Sequence, residues 1–366
     1  MGRRSMHEAV LGAMGDPAVS DVHLRSGVPV WVRRWGQMRA VGSSPLETSD
    51  VDAVAGMVLG DGRREHLREG RDVDAAWQMP DGDRWRVHAY RAGGLSAVAM
   101  RRIPRVVPTL QSLGLPASLA TLVRGPSGLV LVTGPTGSGK SSTMAALIDG
   151  INRERECHVL TLEDPIEYVH APERALVTQR ELDRDVESLA TALRSAVRAD
   201  PDVVLVGELR DEATVDAALQ LAETGHLTLA TLHTRSAMAT LHRLVDLTSP
   251  ARHAQVRHQL ALVLVGVVSQ RLLPRASGEG RVAAIEVMRA TPAIRHLLRE
   301  GKVHQLPAAM QAEGRDGGSW SLSQSLASLV AAGALTEEVA GVAAGDRDDF
   351  RQWLARERRG GPEGRR

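Results

Sequence analysis

Short aliphatic runs and stretches of helical period alternate through the middle of the chain. Residues 129–132 (LVLV), 159–162 (VLTL), 203–206 (VVLV) and 227–231 (LTLAT) are apolar runs of strand length, readable as buried strands of a parallel sheet. After the first run, Met144, Leu147, Ile148 and Ile151 fall at helical spacing. The N-terminal third reads differently. Residues 1 to about 18 read as a short helix stopped at Gly15, Asp16 and Pro17. Residues 22–24 and 28–32 read as strands joined by a turn at Ser26 and Gly27, 84–90 and 95–100 as two more, with a helical pattern over 51–67 between them. From Pro292 onward the pattern is helical again, with Leu322, Leu326, Leu329 and Val330 on one stripe. Residues 305–319 are Gly-rich and read as a loop. The predicted fold class is α/β. An α+β domain spans 1–103, and a proline-bearing linker 104–117 contains Pro104, Pro108 and Pro116. The core spans 118–290 and a C-terminal helical part 291–350, which would pack on the core or face a partner. Residues 351–366 form a charged, disordered tail.

Composition removes several function classes. Lys and Arg number 45 against 44 Asp and Glu, so no global charge excess points to nucleic acid. Six Trp, two Tyr and one Phe are too few for the stacking platforms of a single-strand binder. No nucleic-acid partner is expected. Cys157 is the only cysteine, which fits a reducing compartment and rules out an intrachain disulfide. The first residues carry no apolar segment of the signal-peptide kind, and the longest apolar run, 260–268, is too short to span a bilayer. A cytoplasmic chain, at most peripheral to a membrane, is the expectation.

The most specific stretch is Gly134, Pro135, Thr136, Gly137, Ser138, Gly139, Lys140, Ser141, which fills every fixed position of G-x-x-x-x-G-K-[ST]. It lies between a strand and a helix, where glycines let backbone N–H groups turn inward and the helix N-terminus adds its positive end. Lys140 would reach the β- and γ-phosphates of a nucleoside triphosphate, and the Ser141 hydroxyl would bind Mg²⁺. Ser142, next in line, is counted with the phosphate loop.

The remaining candidates lie at strand ends. Glu163 follows the 159–162 run, where ligands bind in open α/β sheets; it reads either as a group that orients or deprotonates an attacking water or as an acidic turn. Glu208 follows four aliphatics and reads as the Walker B carboxylate that holds Mg²⁺ through its water shell, with Glu in place of the usual Asp. His226 and His233 bracket the 227–231 strand, and one of them is a candidate γ-phosphate sensor. Arg86 and Arg101 lie on N-terminal strands. They read either as a solvated face or as arginine fingers reaching a nucleotide held by another part of an assembly.

Taken together, residues 128–170, 200–211 and 223–234 resemble the secretion ATPase superfamily, the hexameric motors of type II and type IV secretion and of type IV pili. The resemblance makes 134–141 Walker A, 161–167 the Asp box with Glu163 as catalytic glutamate, 203–208 Walker B and 224–233 the His box. Within the family the pilus retraction branch is most similar. Residues 20–24 (SDVHL) match its start, the four-cysteine module of the secretion and extension branches is absent, and residues 293–300 (AIRHLLRE) are similar to its AIRNLIRE motif, departing at His296 and Leu298. The resemblance covers about residues 18–345. It implies a PAS-like N-terminal domain and a RecA-like P-loop ATPase core, ATP and Mg²⁺ as nucleotide and cofactor, and a homohexamer. It also implies an inner-membrane pilus platform protein as partner, with a paralogous pilus ATPase as a further one.

Overall fold

The structure, a computed structural model, describes residues 10–79, 82–103, 105–182, 184–314 and 317–359. The expectations for residues 1–9, Pro104, 315–316 and 360–366 fall outside them. The chain divides into two compact units between Val106 and Val107.

The N-terminal unit begins with helical residues 10–15 (α1). It continues through β1 (Val19–Arg25), β2 (Val30–Arg34), β3 (Gln37–Val41), α2 (Thr48–Leu59), α3 (Asp61–Arg68), β4 (Val73–Gln78), β5 (Arg84–Ala92) and β6 (Leu95–Ile103). Its described strands form one antiparallel sheet in the order β3-β2-β1-β6-β5-β4. Alternation sets the faces: Trp85, Val87 and Ala89 of β5 point into a core shared with Val51, Val54, Ala55 and Val58 of α2, whereas Arg84, Arg86 and His88 point away. The helical pattern over 51–67 is two helices, broken at Gly60, whose φ of 72° suits glycine alone. β3 is exposed at every position and has no buried face to give it an alternating pattern.

The second unit runs through β7 (Gly128–Thr133), α4 (Lys140–Glu154), β8 (His158–Glu163), β9 (Leu176–Glu181), α5 (Leu189–Ala196) and β10 (Val203–Val206). It goes on through α6 (Glu212–Glu223), β11 (Leu227–Leu232), α7 (Ala237–Asp246), α8 (His253–Val263), β12 (Leu264–Pro274) and β13 (Arg281–Arg289). The sheet order is β13-β12-β7-β11-β10-β8-β9, parallel throughout except for the antiparallel β12–β13 edge. β7, β10 and β11 are buried at every residue. Leu129, Leu131, Val204 and Val206 face one hydrophobic cluster with α5 to α8, and Val130, Val132, Val203 and Leu205 face another with α4. Helices on both faces are why these strands read as unbroken apolar runs. The apolar run 260–268 is split in two, closing α8 and opening β12.

Five α-helices follow among the described residues: α9 (Pro292–Arg299), α10 (Leu306–Glu313), α11 (Leu322–Ala331), α12 (Glu337–Ala343) and α13 (Arg347–Arg359). Two expectations are corrected here. The loop expected over 305–319 contains α10, anchored by Leu306 and Met310 at i, i+4 and stopped by Gly314 at φ 61°. The tail expected from 351 is helical to Arg359. Asp346 Oδ1 accepts the N–H groups of Asp348 and Asp349, acids lead, and basic residues close the helix. Phe350 and Leu354, one turn apart, bury against Leu326, Ala327 and the outer face of β13 at Val282 and Ala284. The stripe on α11 thus packs on the core sheet. The N-terminal Pro307 of α10 and the charge density of α13 hide these two short apolar pairs from a periodicity reading. Because Phe350 is 2% exposed, Phe350→Ala should cost about 3–5 kcal/mol of unfolding free energy in chemical denaturation. A change below about 1 kcal/mol would mean that α13 is not part of the packed unit.

Candidate active site

The loop at the carboxyl end of β7 is shaped by glycines in conformations that L side chains rarely adopt. Gly134, Gly137 and Gly139 have φ of 146°, 76° and 88°. A Cβ on Gly134 would lie 2.2 Å from the Gln270 carbonyl oxygen, and one on Gly139 would lie 2.8 Å from Gln270 Nε2. Gln270 sits on β12 beside the loop and ties it down, its Nε2 donating to Ser138 O at 2.8 Å and its Oε1 accepting from Thr143 Oγ1 at 2.7 Å. One register position back, Thr133 and Ser269 hydroxyls bond at 2.9 Å. Lys140 Nζ is folded onto the loop, donating to Gly134 O at 2.8 Å and Pro135 O at 3.2 Å. Burial lowers its pKa, and the charges of Glu208 and Glu167 oppose that shift. Ser141 lies in the first turn of α4, at the positive end of the helix. Ser142, counted with the loop in the sequence, instead bonds Tyr168 OH through its hydroxyl at 2.7 Å.

The other strands bring acids to the same edge of the sheet. Glu163 closes β8, partly buried. Its Oε1 accepts from Thr161 Oγ1 at 2.7 Å and from Gln179 Nε2 at 3.1 Å. Burial raises its pKa, and these hydrogen bonds, with one from the Glu167 backbone, pull it back. Glu208, just past β10, is clasped: Arg210 Nε donates to its Oε2 at 2.9 Å, and His233 Nε2 lies 3.2 Å from its Oε1. Arg210 also donates to Asp164 Oδ2 at 3.2 Å, linking the ends of β8 and β10. His233 Nδ1 is 3.5 Å from Thr136 Oγ1, so the imidazole bridges the β10 carboxylate and the phosphate loop. Ser141 and Glu208 offer the hydroxyl and carboxylate oxygens that suit a hard divalent cation.

Three candidates lie elsewhere. His226 precedes β11 at its opposite end, roughly 20 Å along the strand from His233, with Nδ1 3.0 Å from Leu221 O and 3.1 Å from Thr224 Oγ1. The structure does not bring it to this edge, and its catalytic reading is not carried further. Arg86 and Arg101 belong to the N-terminal unit. The β5–β6 register sets them directly opposite one another. Arg101 Nε bonds Asp21 Oδ1 at 2.8 Å and Arg86 Nη2 lies 3.7 Å from Asp74 Oδ1, which offsets the repulsion of the facing cations. Gln270, Gln179 and Arg210 were not singled out from sequence. Only Gln270 leaves a trace there, as a polar residue inside an apolar strand.

The strand order, the glycine loop and the acids at the carboxyl edge are those of a P-loop ATPase. The chain belongs to the Type II/IV secretion system protein family, whose model matches residues 96–317. It is 44% identical over 319 residues to the "Type IV pilus retractation ATPase PilT" of Pseudomonas aeruginosa, spanning 87% of this chain and 92% of that one. It is 42% identical to the "Twitching motility protein" of Neisseria gonorrhoeae, over 84% of this chain and 82% of the relative. Among solved structures, the "Pilus Retraction Motor PilT and Bound ADP" superposes with a TM-score of 0.83 at 39% identity, covering 96% of this chain and 98% of that one.

The glycine geometry gives a ranked expectation. Gly134→Ala, which drives a methyl into backbone, should weaken ADP binding by at least about ten-fold. Gly137→Ala, with open space around it, should weaken it much less, since only the left-handed φ is costly. Titration of a fluorescent ADP analogue reads both, and equal affinities would contradict the loop geometry.

Proposed function

We propose that this chain is a motor ATPase that powers pilus retraction by hydrolysing ATP to ADP and phosphate. The observation that carries this is likeness along nearly the whole chain to a pilus retraction motor with bound ADP, with Lys140, Ser141, Glu163 and Glu208 gathered at one edge of the sheet. Residues 293–300 support the same branch. They form most of α9, where Ile294 and Leu298 are buried and Arg295 Nη1 donates to Ala261 O and Leu262 O, both at 2.7 Å, closing the end of α8.

In this reading Lys140 leaves the loop carbonyls for the phosphate oxygens, and the loop N–H groups replace the water around them. Glu163 takes a proton from the attacking water as its oxygen bonds to the γ-phosphorus, and ADP departs with the electron pair of the broken P–O bond. Mg²⁺, held by Ser141 and, through water, by Glu208, would neutralise charge on the β- and γ-phosphates. His233 joins Glu208 to Thr136 and registers whether a γ-phosphate fills the loop. Arg86 and Arg101, adjacent on one strand pair, supply positive charge to nucleotide held by a neighbouring copy. The working form is a homohexamer acting at the cytoplasmic face of the inner membrane on a pilus platform protein, with or without a paralogous ATPase. Among the described residues no helix is long and apolar enough to cross a membrane.

Glu163→Gln tests the assignment. Turnover should fall by about 10²–10⁴ while ATP binding and assembly, followed by light scattering, persist. A variant as active as the wild type would remove Glu163 from the mechanism. The base must be ionised to work, and burial raises its pKa. Activity should therefore be lost as pH falls through a value above the ordinary glutamate pKa of about 4.3.

A further inference from the structure

We propose that Thr161 and Gln179 are positioning residues for Glu163, fixing one carboxylate oxygen so that the other takes the proton from water. The inference rests on the reading of Glu163 as the base. β8 and β9 pair in parallel with Thr161 opposite Gln179 and Glu163 opposite Glu181. Residues two apart on a strand share a face, so Thr161, Glu163 and Gln179 converge on one patch of the sheet. Both side-chain donors reach the same atom, Oε1, Thr161 Oγ1 at 2.7 Å and Gln179 Nε2 at 3.1 Å. Among the described residues no side chain bonds Oε2.

Gln179 is itself fully engaged. Its amide donates a second time to Tyr168 O at 2.8 Å and accepts from His170 N at 2.9 Å. Tyr168 in turn bonds Ser142 on the helix that follows the phosphate loop. An amide committed on both sides cannot rotate, so the direction of its bond to Glu163 is set by the backbone of 168–170. The two side-chain donors, with the hydrogen bond from the Glu167 backbone, favour the ionised carboxylate and oppose the burial that would protonate it. The charged groups on the flanking elements are Asp164 and Glu167 on its own segment, Glu181 on β9, Glu208 and Arg210 after β10, and Lys140 on α4. Of these, Glu167 acts on Glu163 in two ways: a hydrogen bond from its backbone favours the ionised form, and its carboxylate charge favours the neutral one.

A purely structural role is the competing explanation for Gln179, because it also holds the 168–170 backbone. Thr161 separates the two, since among the described residues its hydroxyl bonds Glu163 alone. The experiment is the pH dependence of single-turnover ATP hydrolysis by the full-length assembled protein, for Thr161→Val, Thr161→Ser, Gln179→Met and Glu163→Gln, with ATP affinity measured in parallel. Single turnover keeps product release from masking the chemical step. Thr161→Val and Gln179→Met should each move the acid limb up by about one pH unit, the size expected for losing a hydrogen bond to a charged group. ATP affinity should stay within about two-fold, and Thr161→Ser should keep the wild-type limb. Either shifted variant suffices if the other fails to fold. An unmoved limb in both, beside an inactive Glu163→Gln, would overturn the positioning role and leave the base intact. A fully active Glu163→Gln would overturn the base, and this inference with it.

Discussion

A phosphate site of this kind needs several backbone N–H groups pointing at one spot, and only a chain that turns through left-handed conformations can supply them. In this protein the constraint is met against a wall. Gly134 lies so close to the Gln270 backbone that a side chain there would collide with it, Gly139 lies against the Gln270 amide, and that amide holds the loop and the first turn of α4 together. The sheet order follows from the same need. β12 must lie beside β7 to present Gln270, and the helical layer of α11 to α13 packs on the β12–β13 edge. Arg271, next to Gln270, donates to Ala343 O in that layer. A single strand therefore carries both the prop of the nucleotide loop and the seat of the C-terminal helices.

The charged groups of the site are each partnered within the chain. Lys140 satisfies itself on two loop carbonyls, and Glu208 rests between Arg210 and His233. A buried charge left alone would cost several kcal/mol, and these contacts remove that cost. Glu286 shows the same economy away from the chemistry. This half-buried carboxylate accepts the Ala237 N–H at 2.6 Å at the start of α7, just after the His233 segment, and a hydrogen bond from the Leu322 backbone at the start of α11.

Much of this was legible in the sequence where one cause dominates. Strands covered on both faces leave unbroken aliphatic runs, so β7, β8, β10 and β11 are visible, and the acids that follow them mark the carboxyl edge. The glycine spacing of 134–139 is visible because it is the only way to build the turn. Edge elements are not, because their stabilisation is shared. β3 has no buried face, α10 is two turns long with a proline in its first turn, and α13 rests on a pair of buried apolar residues in a charged sequence. Supporting polar residues were hidden for a different reason. Gln270 and Gln179 owe their roles to register between strands distant in sequence, 132 residues from Ser138 in one case and 16 from Glu163 in the other. His226 and His233 looked equivalent in sequence, since each flanks one strand. Only the direction of β11 relative to β7 decides that His233 meets the loop.

The most direct test of the account is calorimetric titration of ADP into the wild-type protein and into Lys140→Ala, each confirmed as folded by its denaturation profile. If the loop is a phosphate cradle completed by this buried ammonium, the wild type binds with 1:1 stoichiometry per chain. The variant should lose at least about 2.7 kcal/mol, a hundred-fold in affinity. Equal affinity for the two proteins, or no binding to the wild type, would contradict it.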